Sequence, residues 1–302
     1  MKILVVGLGI QGNKRKKIAG KDFIGSVDPF NKKADFYKLK EVPLNSFDVA
    51  LVCTPDRSKF NIVKYCLKNK KHVLLEKPLL EDEKKIKELQ RIALKNKLIC
   101  YTAYNHRFEP HFVKLRELIR SKKLGKIYYC RVFYGNGTAR LVRNSWRDKK
   151  TGIVSDIGSH LLDTCAFWFG KKIENFNLIS QNKFENNSPD HAIINCTQNK
   201  IKIEMEMSYC MWRNNFTCDV IGQKGSAHIS SLCKWGPSIF TYRKRVYPSG
   251  KPYEYKTTLK CSDPTWNLEY QYFKKLINSK KKTDLSNDLW IYKKLNQIVK
   301  NI

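Results

Sequence analysis

Acidic residues are scarce in this chain of 302 residues: 27 Asp and Glu stand against 58 Lys and Arg, a formal net charge of +31. A field of that sign is compatible with nucleic acid, an anionic membrane surface or an anionic substrate as partner. The basic residues are 45 Lys against only 13 Arg and are scattered through helices and loops. The absence of a basic arm, or of an aromatic-basic recognition motif, argues for compositional drift on solvent faces rather than a specific nucleic-acid partner. Long apolar runs are also missing. No stretch approaches the roughly 20 residues that span a bilayer, and the first residues enter a strand directly, so neither a membrane span nor a signal peptide is expected. The ten cysteines include no Cys-x-x-Cys pair. That spacing points to isolated reduced thiols in a cytoplasmic protein and not to a disulfide scaffold or a zinc site. Low-complexity segments and internal repeats are absent too.

What is present begins at Lys2. The apolar run Ile3-Leu4-Val5-Val6 reads as a strand buried on both faces, and Gly7-Leu8-Gly9-Ile10-Gln11-Gly12 follows with the spacing of a phosphate-binding turn. Gly7 would permit the tight turn, Gly9 would let the backbone approach a pyrophosphate, and Gly12 would let the new helix pack closely on its strand. Ile10 and Gln11 would then present helix N-terminal N–H groups to the anion. Asp28 ends the next apolar stretch at the distance where a carboxylate accepts from a ribose diol and repels a 2′-phosphate, which favours NAD over NADP.

Strand and helix alternate through the first hundred residues. Strands are predicted at 47–53, 72–75 and 98–101 and helices at 57–69 and 84–97, with only a short helix or loop between Pro29 and Ser46. Thr54-Pro55 and Glu76-Lys77-Pro78 terminate two of these strands at the carboxyl edge, where open parallel sheets bind ligands. A doubly wound Rossmann domain is therefore expected over 1–103, followed over 104–302 by an α/β domain. In the latter, the strictly alternating Lys200–Met207 and the turn Gly222-Gln223-Lys224-Gly225 predict antiparallel strands. A helix is predicted from about Ile157 to Phe169, and two more over 266–277 and 284–302, with Trp290, Leu295 and Ile298 as core contacts.

Four motifs in register, Gly7–Gly12, Glu76-Lys77-Pro78, Tyr104-Asn105-His106-Arg107-Phe108 and Asp156-Ile157-Gly158-Ser159-His160-Leu161-Leu162-Asp163, make nearly the whole chain resemble the glucose–fructose oxidoreductase, inositol dehydrogenase and rhizopine-catabolism (Gfo/Idh/MocA) family. The resemblance implies an N-terminal Rossmann domain, a C-terminal α/β domain with a large open, mainly antiparallel sheet, and NAD(P)-dependent oxidation of sugars, polyols or nucleotide-activated sugars. It implies cofactor contacts from Gly7, Gly9, Ile10, Gln11, Gly12, Asp28, Thr54, Pro55, Glu76 and Lys77, and a homodimer or homotetramer formed through the sheet.

Oxidising a secondary alcohol requires a base within hydrogen-bond reach of the hydroxyl while hydride leaves carbon. Lys77 and His160 are the candidates. The resemblance gives Lys77 a substrate-facing catalytic role and makes Asp156 and His160 an acid/base dyad, His160 accepting the proton and Asp156, one helical turn earlier, orienting it. An N-capping Asp and a structural histidine are the competing reading. No metal is expected, because no second histidine or cysteine stands at ligand spacing. Asn105, His106 and Arg107 are candidate cleft residues, whereas His72 and His228 look structural and His111 could either start a helix or face substrate. Arg140, Arg143, Trp146 and Arg147 form a basic loop able to clamp a phosphate or carboxylate and stack on a sugar ring, or equally to face solvent or a second subunit. Two features depart from the family: the segment between Asp28 and Asp48 is short, and Lys59 replaces a common histidine. A non-catalytic dinucleotide sensor on the same fold is the alternative function.

Overall fold

The computed structural model describes residues 1–145, 147–279 and 285–299. Two compact units divide the chain: Met1–Tyr104 with Trp266–Lys293, and Asn105–Thr265 with the chain from Lys294.

The first unit is built on a five-stranded parallel sheet, ordered β2-β1-β3-β4-β5. Its elements are β1 (Ile3–Val6), α1 (Ile10–Ala19), β2 (Phe23–Val27), β3 (Val49–Val52), α2 (Asp56–Lys68), β4 (His72–Glu76), α3 (Glu83–Lys95) and β5 (Cys100–Ala103). The unbroken apolar runs have a direct cause. Leu4 and Val6 pack with Val63, Leu67, Ile86 and Leu89 of α2 and α3 on one face, and Ile3 and Val5 pack on the other. On that second face α1 buries only Gly12, Arg15 and Ala19. Much of the remaining cover comes from Tyr270, Phe273 and Leu276 of a C-terminal helix. A parallel sheet with two apolar faces needs helices on both, so this helix belongs with the first unit, whereas the expected division had all of 104–302 together. Between Asp28 and Asp48 the chain makes one bridge, Val27 to Phe36, and a short 3-10 turn at Leu39–Glu41.

The second unit contains α4 (Pro110–Arg120), β6 (Ile127–Gly135), α5 (Ala139–Val142), α6 (Ile153–Phe169), β7 (Ile173–Asn182), β8 (His191–Gln198), β9 (Ile201–Ser208), β10 (Asn215–Gly222), β11 (Gly225–Ser230), β12 (Ser238–Val246) and β13 (Gly250–Leu259). Its eight strands run β13-β12-β11-β10-β6-β9-β8-β7, antiparallel except for the β6–β9 pair. Strand periodicity sets the two faces. Cys130, Val132 and Tyr134 of β6 are buried together with Ile203, Met205 and Met207 of β9. On the opposite face Arg131 pairs with Glu204 at 2.9 Å. β12 and β13 were not foreseen, because β13, GKPYEYKTTL, is almost wholly exposed and carries no apolar alternation.

The described part of the tail holds α7 (Thr265–Asn278) and α8 (Ser286–Val299); of the predicted helix over 284–302, positions 284 and 300–302 lie outside the described residues. Leu295 and Ile298 are buried as expected, and Trp290 is half-buried. All ten cysteines are free thiols, seven of them buried. Among the described residues no helix is long and apolar enough to cross a membrane, and no cluster of His, Cys, Asp and Glu could hold a metal ion.

Candidate active site

In the first unit the three glycines of the turn serve three different ends. Gly7 has φ +95° and lies so close to the Cys53 carbonyl that a Cβ would sit 2.9 Å from its oxygen. At Gly12 a Cβ would collide with the Gly7 carbonyl oxygen, so glycine is what allows α1 to sit against its strand. Gly9 is different. Its φ of −71° suits any residue, and a Cβ there would meet no atom within 4 Å. Nothing in the protein requires glycine at this position, and the open space fits a group that approaches the backbone from outside. Ile10 is 88% exposed and Gln11 is exposed, both at the start of α1 beside that space. The Thr54 hydroxyl at the end of β3 is shielded and has no hydrogen-bond partner among the described residues, and Pro55 caps α2. An open cradle over a helix N-terminus, with an unsatisfied hydroxyl at the next strand end, fits a dinucleotide pyrophosphate.

Asp28 is held more firmly than its sequence position indicates. One carboxylate oxygen accepts from the Leu8 N–H at 2.7 Å and the other from Phe30 and Asn31 at 2.9 and 3.1 Å. A carboxylate accepts about four hydrogen bonds, so capacity for a ribose hydroxyl remains and the negative charge is fixed in place.

At the carboxyl end of β4, Glu76 accepts from Arg15 Nε at 2.7 Å, and Arg15 Nη2 donates to Glu269 at the same distance. Arg15 is 1% exposed and Glu269 is wholly buried. Two carboxylates hold the guanidinium charged against the burial that opposes it. Lys77, next in the chain, is half-buried. Lys59 is engaged within the protein: it is buried, paired with Asp56 at 2.7 Å, and donates to the Pro78 carbonyl at 2.9 Å. It ties the start of α2 to the loop that carries Lys77.

In the second unit, Asp156 and His160 occupy consecutive turns of α6. The Asp156 carboxylate is buried, accepts from the Tyr209 hydroxyl at 2.9 Å and lies 3.5 Å from Arg147 Nη1. Burial, reinforced by that carboxylate, pushes the Tyr209 phenol well above its ordinary range, so it remains a donor. The half-buried His160 ring stacks on His106, with ring centroids 4.1 Å apart and planes 18° apart. Tyr134 closes the wall against both imidazoles, Trp235 packs edge-on against it at 5.3 Å, and Lys234 donates to the Tyr134 hydroxyl at 3.0 Å.

Several candidate side chains are committed elsewhere. Arg107 makes a bidentate pair with buried Asp163, at 2.8 and 2.5 Å. Asn105 donates to Thr265 at 2.7 Å. His111 is 1% exposed, bonded to Ser238, and driven down to about 4 by burial, which makes it a neutral structural histidine. His72 is likewise held below its ordinary value by burial and accepts from the Ile99 N–H. His228 lies on the open face of the second sheet, 2.5 Å from Asp219. The three arginines of the basic loop diverge. Arg140 points away, 94% exposed and 3.9 Å from Glu185, Arg143 is exposed, and only Arg147 reaches Asp156. Trp146 lies outside the described residues.

Sequence reasoning missed Tyr209, Tyr134, Lys234 and Trp235. For Tyr209 a signal existed. It continues the odd-numbered series Ile203, Met205, Met207 and therefore belongs to the buried face. Lys234 and Trp235 lie in a three-residue 3-10 turn, Cys233–Trp235, too short for a period to show.

Residues 5–104 match the family described as "Oxidoreductase family, NAD-binding Rossmann fold", and residues 112–228 match the "GFO/IDH/MocA C-terminal domain". A curated relative, scyllo-inositol 2-dehydrogenase (NADP(+)) IolW of Bacillus subtilis, is 28% identical over 138 residues, 44% of this chain and 38% of the relative. The chain aligns with 33% to 55% of the length of such relatives. Among solved structures, a putative NADPH-dependent oxidoreductase from Desulfitobacterium hafniense superposes with a TM-score of 0.88 at 13% identity, over 100% of this chain and 95% of that one. A levoglucosan dehydrogenase in complex with NADH gives 0.86 at 15%, over 99% and 96%. At such identities the likeness is one of fold.

Proposed function

Since the chain belongs to the Gfo/Idh/MocA family of oxidoreductases, we propose that it is an NAD-dependent dehydrogenase acting on a secondary hydroxyl of a sugar, a polyol or a nucleotide-activated sugar. The observation that carries the reading is the α6 wall, where a half-buried imidazole stands one turn beyond a buried carboxylate and is backed by aromatic rings. His160 accepts the hydroxyl proton on a ring nitrogen, and the carboxylate of Asp156, fixed by Tyr209 and Arg147, sets the field that favours the resulting imidazolium. Lys77 is assigned to the substrate, with its loop anchored by Lys59 and the preceding Glu76 pinned by Arg15.

Bound nicotinamide would supply the hydride acceptor. Gly7, Gly9, Ile10, Gln11 and Gly12 would hold the pyrophosphate, and Thr54, Pro55 and Glu76 would line the cofactor edge of the sheet. The fixed charge of Asp28 supports NAD over NADP, because a 2′-phosphate placed there would face an anion it cannot neutralise. Asn105, His106, Arg107, Arg143, Trp146 and Arg147 were the substrate candidates. Of these, Arg147 keeps a place beside Asp156, which leaves neutral and anionic sugars both in the reading. Self-association through the open sheet face, as a homodimer or homotetramer, and a reducing cytoplasmic setting for the free thiols complete it.

The test is absorbance at the reduced-nicotinamide band after adding NAD and, in turn, free sugars, polyols and nucleotide sugars. A rise with one class supports the dehydrogenase and selects the substrate. Tight NAD binding without turnover on any class would replace it with a dinucleotide sensor.

A further inference from the structure

Of the polar residues in the second unit, His106 is placed in the least ordinary way. It is 4% exposed in the short turn Asn105–Phe108, and its ring lies almost flat against His160. A residue buried to that degree offers substrate little surface. We propose that His106 is a positioning residue: a neutral platform that fixes the ring plane of His160, so that the stacked pair takes up one proton and that proton resides on His160. The inference rests on the dehydrogenase reading only for its kinetic part.

Three observations carry it. At a centroid separation of 4.1 Å two imidazolium rings would repel each other directly, so the second protonation is suppressed once the first has occurred. Burial decides which ring takes the first proton. His160 is half-buried whereas His106 is enclosed by Phe112, Tyr134 and His160, and the charged form is disfavoured where water is excluded. A neutral aromatic face beneath an imidazolium also favours the cation, as for any cation over a ring. Of the charged groups on the elements around the pair, Asp163 is paired with Arg107 and Asp156 with Arg147 on α6; Glu109, just before α4, is buried, pushed up towards its neutral form by that burial, and accepts from the Cys233 N–H; and Lys234 stands at the Tyr134 hydroxyl of β6. During oxidation of an alcohol the proton passes from the substrate oxygen to a ring nitrogen of His160, and His106 neither gains nor loses one.

Nuclear magnetic resonance of histidine-labelled protein, titrated from pH 8 downward, tests the pair without any turnover, with His160→Gln and His106→Phe assigning the two signals. The expected result is two separate steps, the upper one belonging to His160. In His160→Gln, where no imidazolium can form alongside, the midpoint of His106 should rise by about one pH unit or more. Equal His106 midpoints in the two proteins would overturn the proposal. Kinetics give a second readout: His106→Phe keeps a flat ring and should retain kcat within about 3-fold, whereas His106→Leu should lose about 10-fold or more in kcat with a smaller change in KM. It should also move the acid limb of the pH profile down by about half a pH unit. Equal kcat in the Phe and Leu variants would count against the platform. If the titrations show the coupling but His160→Ala turns over normally, the dehydrogenase mechanism falls and the stacked pair stands.

Discussion

Replacing Gly9 with alanine separates the needs of the fold from the needs of a ligand. The new Cβ meets no protein atom within 4 Å, and φ of −71° is ordinary for alanine. Two small effects act on stability. Loss of chain freedom in the unfolded state favours the variant by about 0.4–1 kcal/mol, while alanine is a poorer helix N-cap than glycine by roughly 0.5–1 kcal/mol. They nearly cancel, so the thermal midpoint should stay within about 2–3 °C for a chain of this size. Dinucleotide binding should not survive so well. A methyl group forced into a close-packed contact costs about 1–3 kcal/mol, which is about 5- to 150-fold in Kd at 1.4 kcal/mol per decade. Calorimetric titration with NAD, with melts of the same samples, measures both quantities. Gly12→Ala is the contrasting control, because its Cβ would collide with the Gly7 carbonyl and should lower the melting temperature outright. If Gly9→Ala binds NAD as tightly as the parent, the open space is not where the pyrophosphate lies and the cofactor reading of this turn fails.

Substituting His160 or Lys77 by alanine should leave NAD binding intact and reduce turnover by roughly 100-fold or more; steady-state rates equal to the parent in both would remove the proposed chemistry. Asp28→Ala should narrow the ratio of kcat/KM for NAD over NADP by about 10-fold or more, and a parent enzyme that prefers NADP would refute the role given to that carboxylate. His111 should govern part of the acid stability. Its folded value of about 4 lies below the ordinary 6.5, so its contribution is complete above pH 6.5 and is lost as the pH falls towards 4. By the linkage relation this amounts to about 3 kcal/mol. Melting temperatures of His111→Gln should therefore fall less steeply between pH 7 and 4.5 than those of the parent; parallel curves would show that another group is responsible.

The glycine turn, the four motifs and most elements were legible in the sequence, since each depends on local chemistry. A glycine is either tolerated or required by φ and by near neighbours, and apolar periods of two or 3.6 residues follow from backbone geometry. The candidate site residues could be named from the sequence as a set of types. The partners each of them selects could not. Arg107 was available to a substrate on paper, but Asp163 holds it bidentately; Lys59 stood where a cofactor contact was in question, but it binds Asp56 and the Pro78 carbonyl.

By itself, then, the sequence determined a Rossmann unit followed by an α/β unit, the phosphate-type turn, and the one-turn spacing of Asp156 and His160. Only the tertiary structure decided that α7 covers the second face of the first sheet, that Tyr209 and Arg147 secure Asp156, and that His106 lies flat against His160. The physical reason is range. Strands, turns and helix faces are fixed by neighbours a few residues apart, whereas Tyr209 lies 53 positions from Asp156 and Glu269 lies 254 from Arg15. Which distant side chains meet depends on how whole layers pack, and no local pattern encodes that.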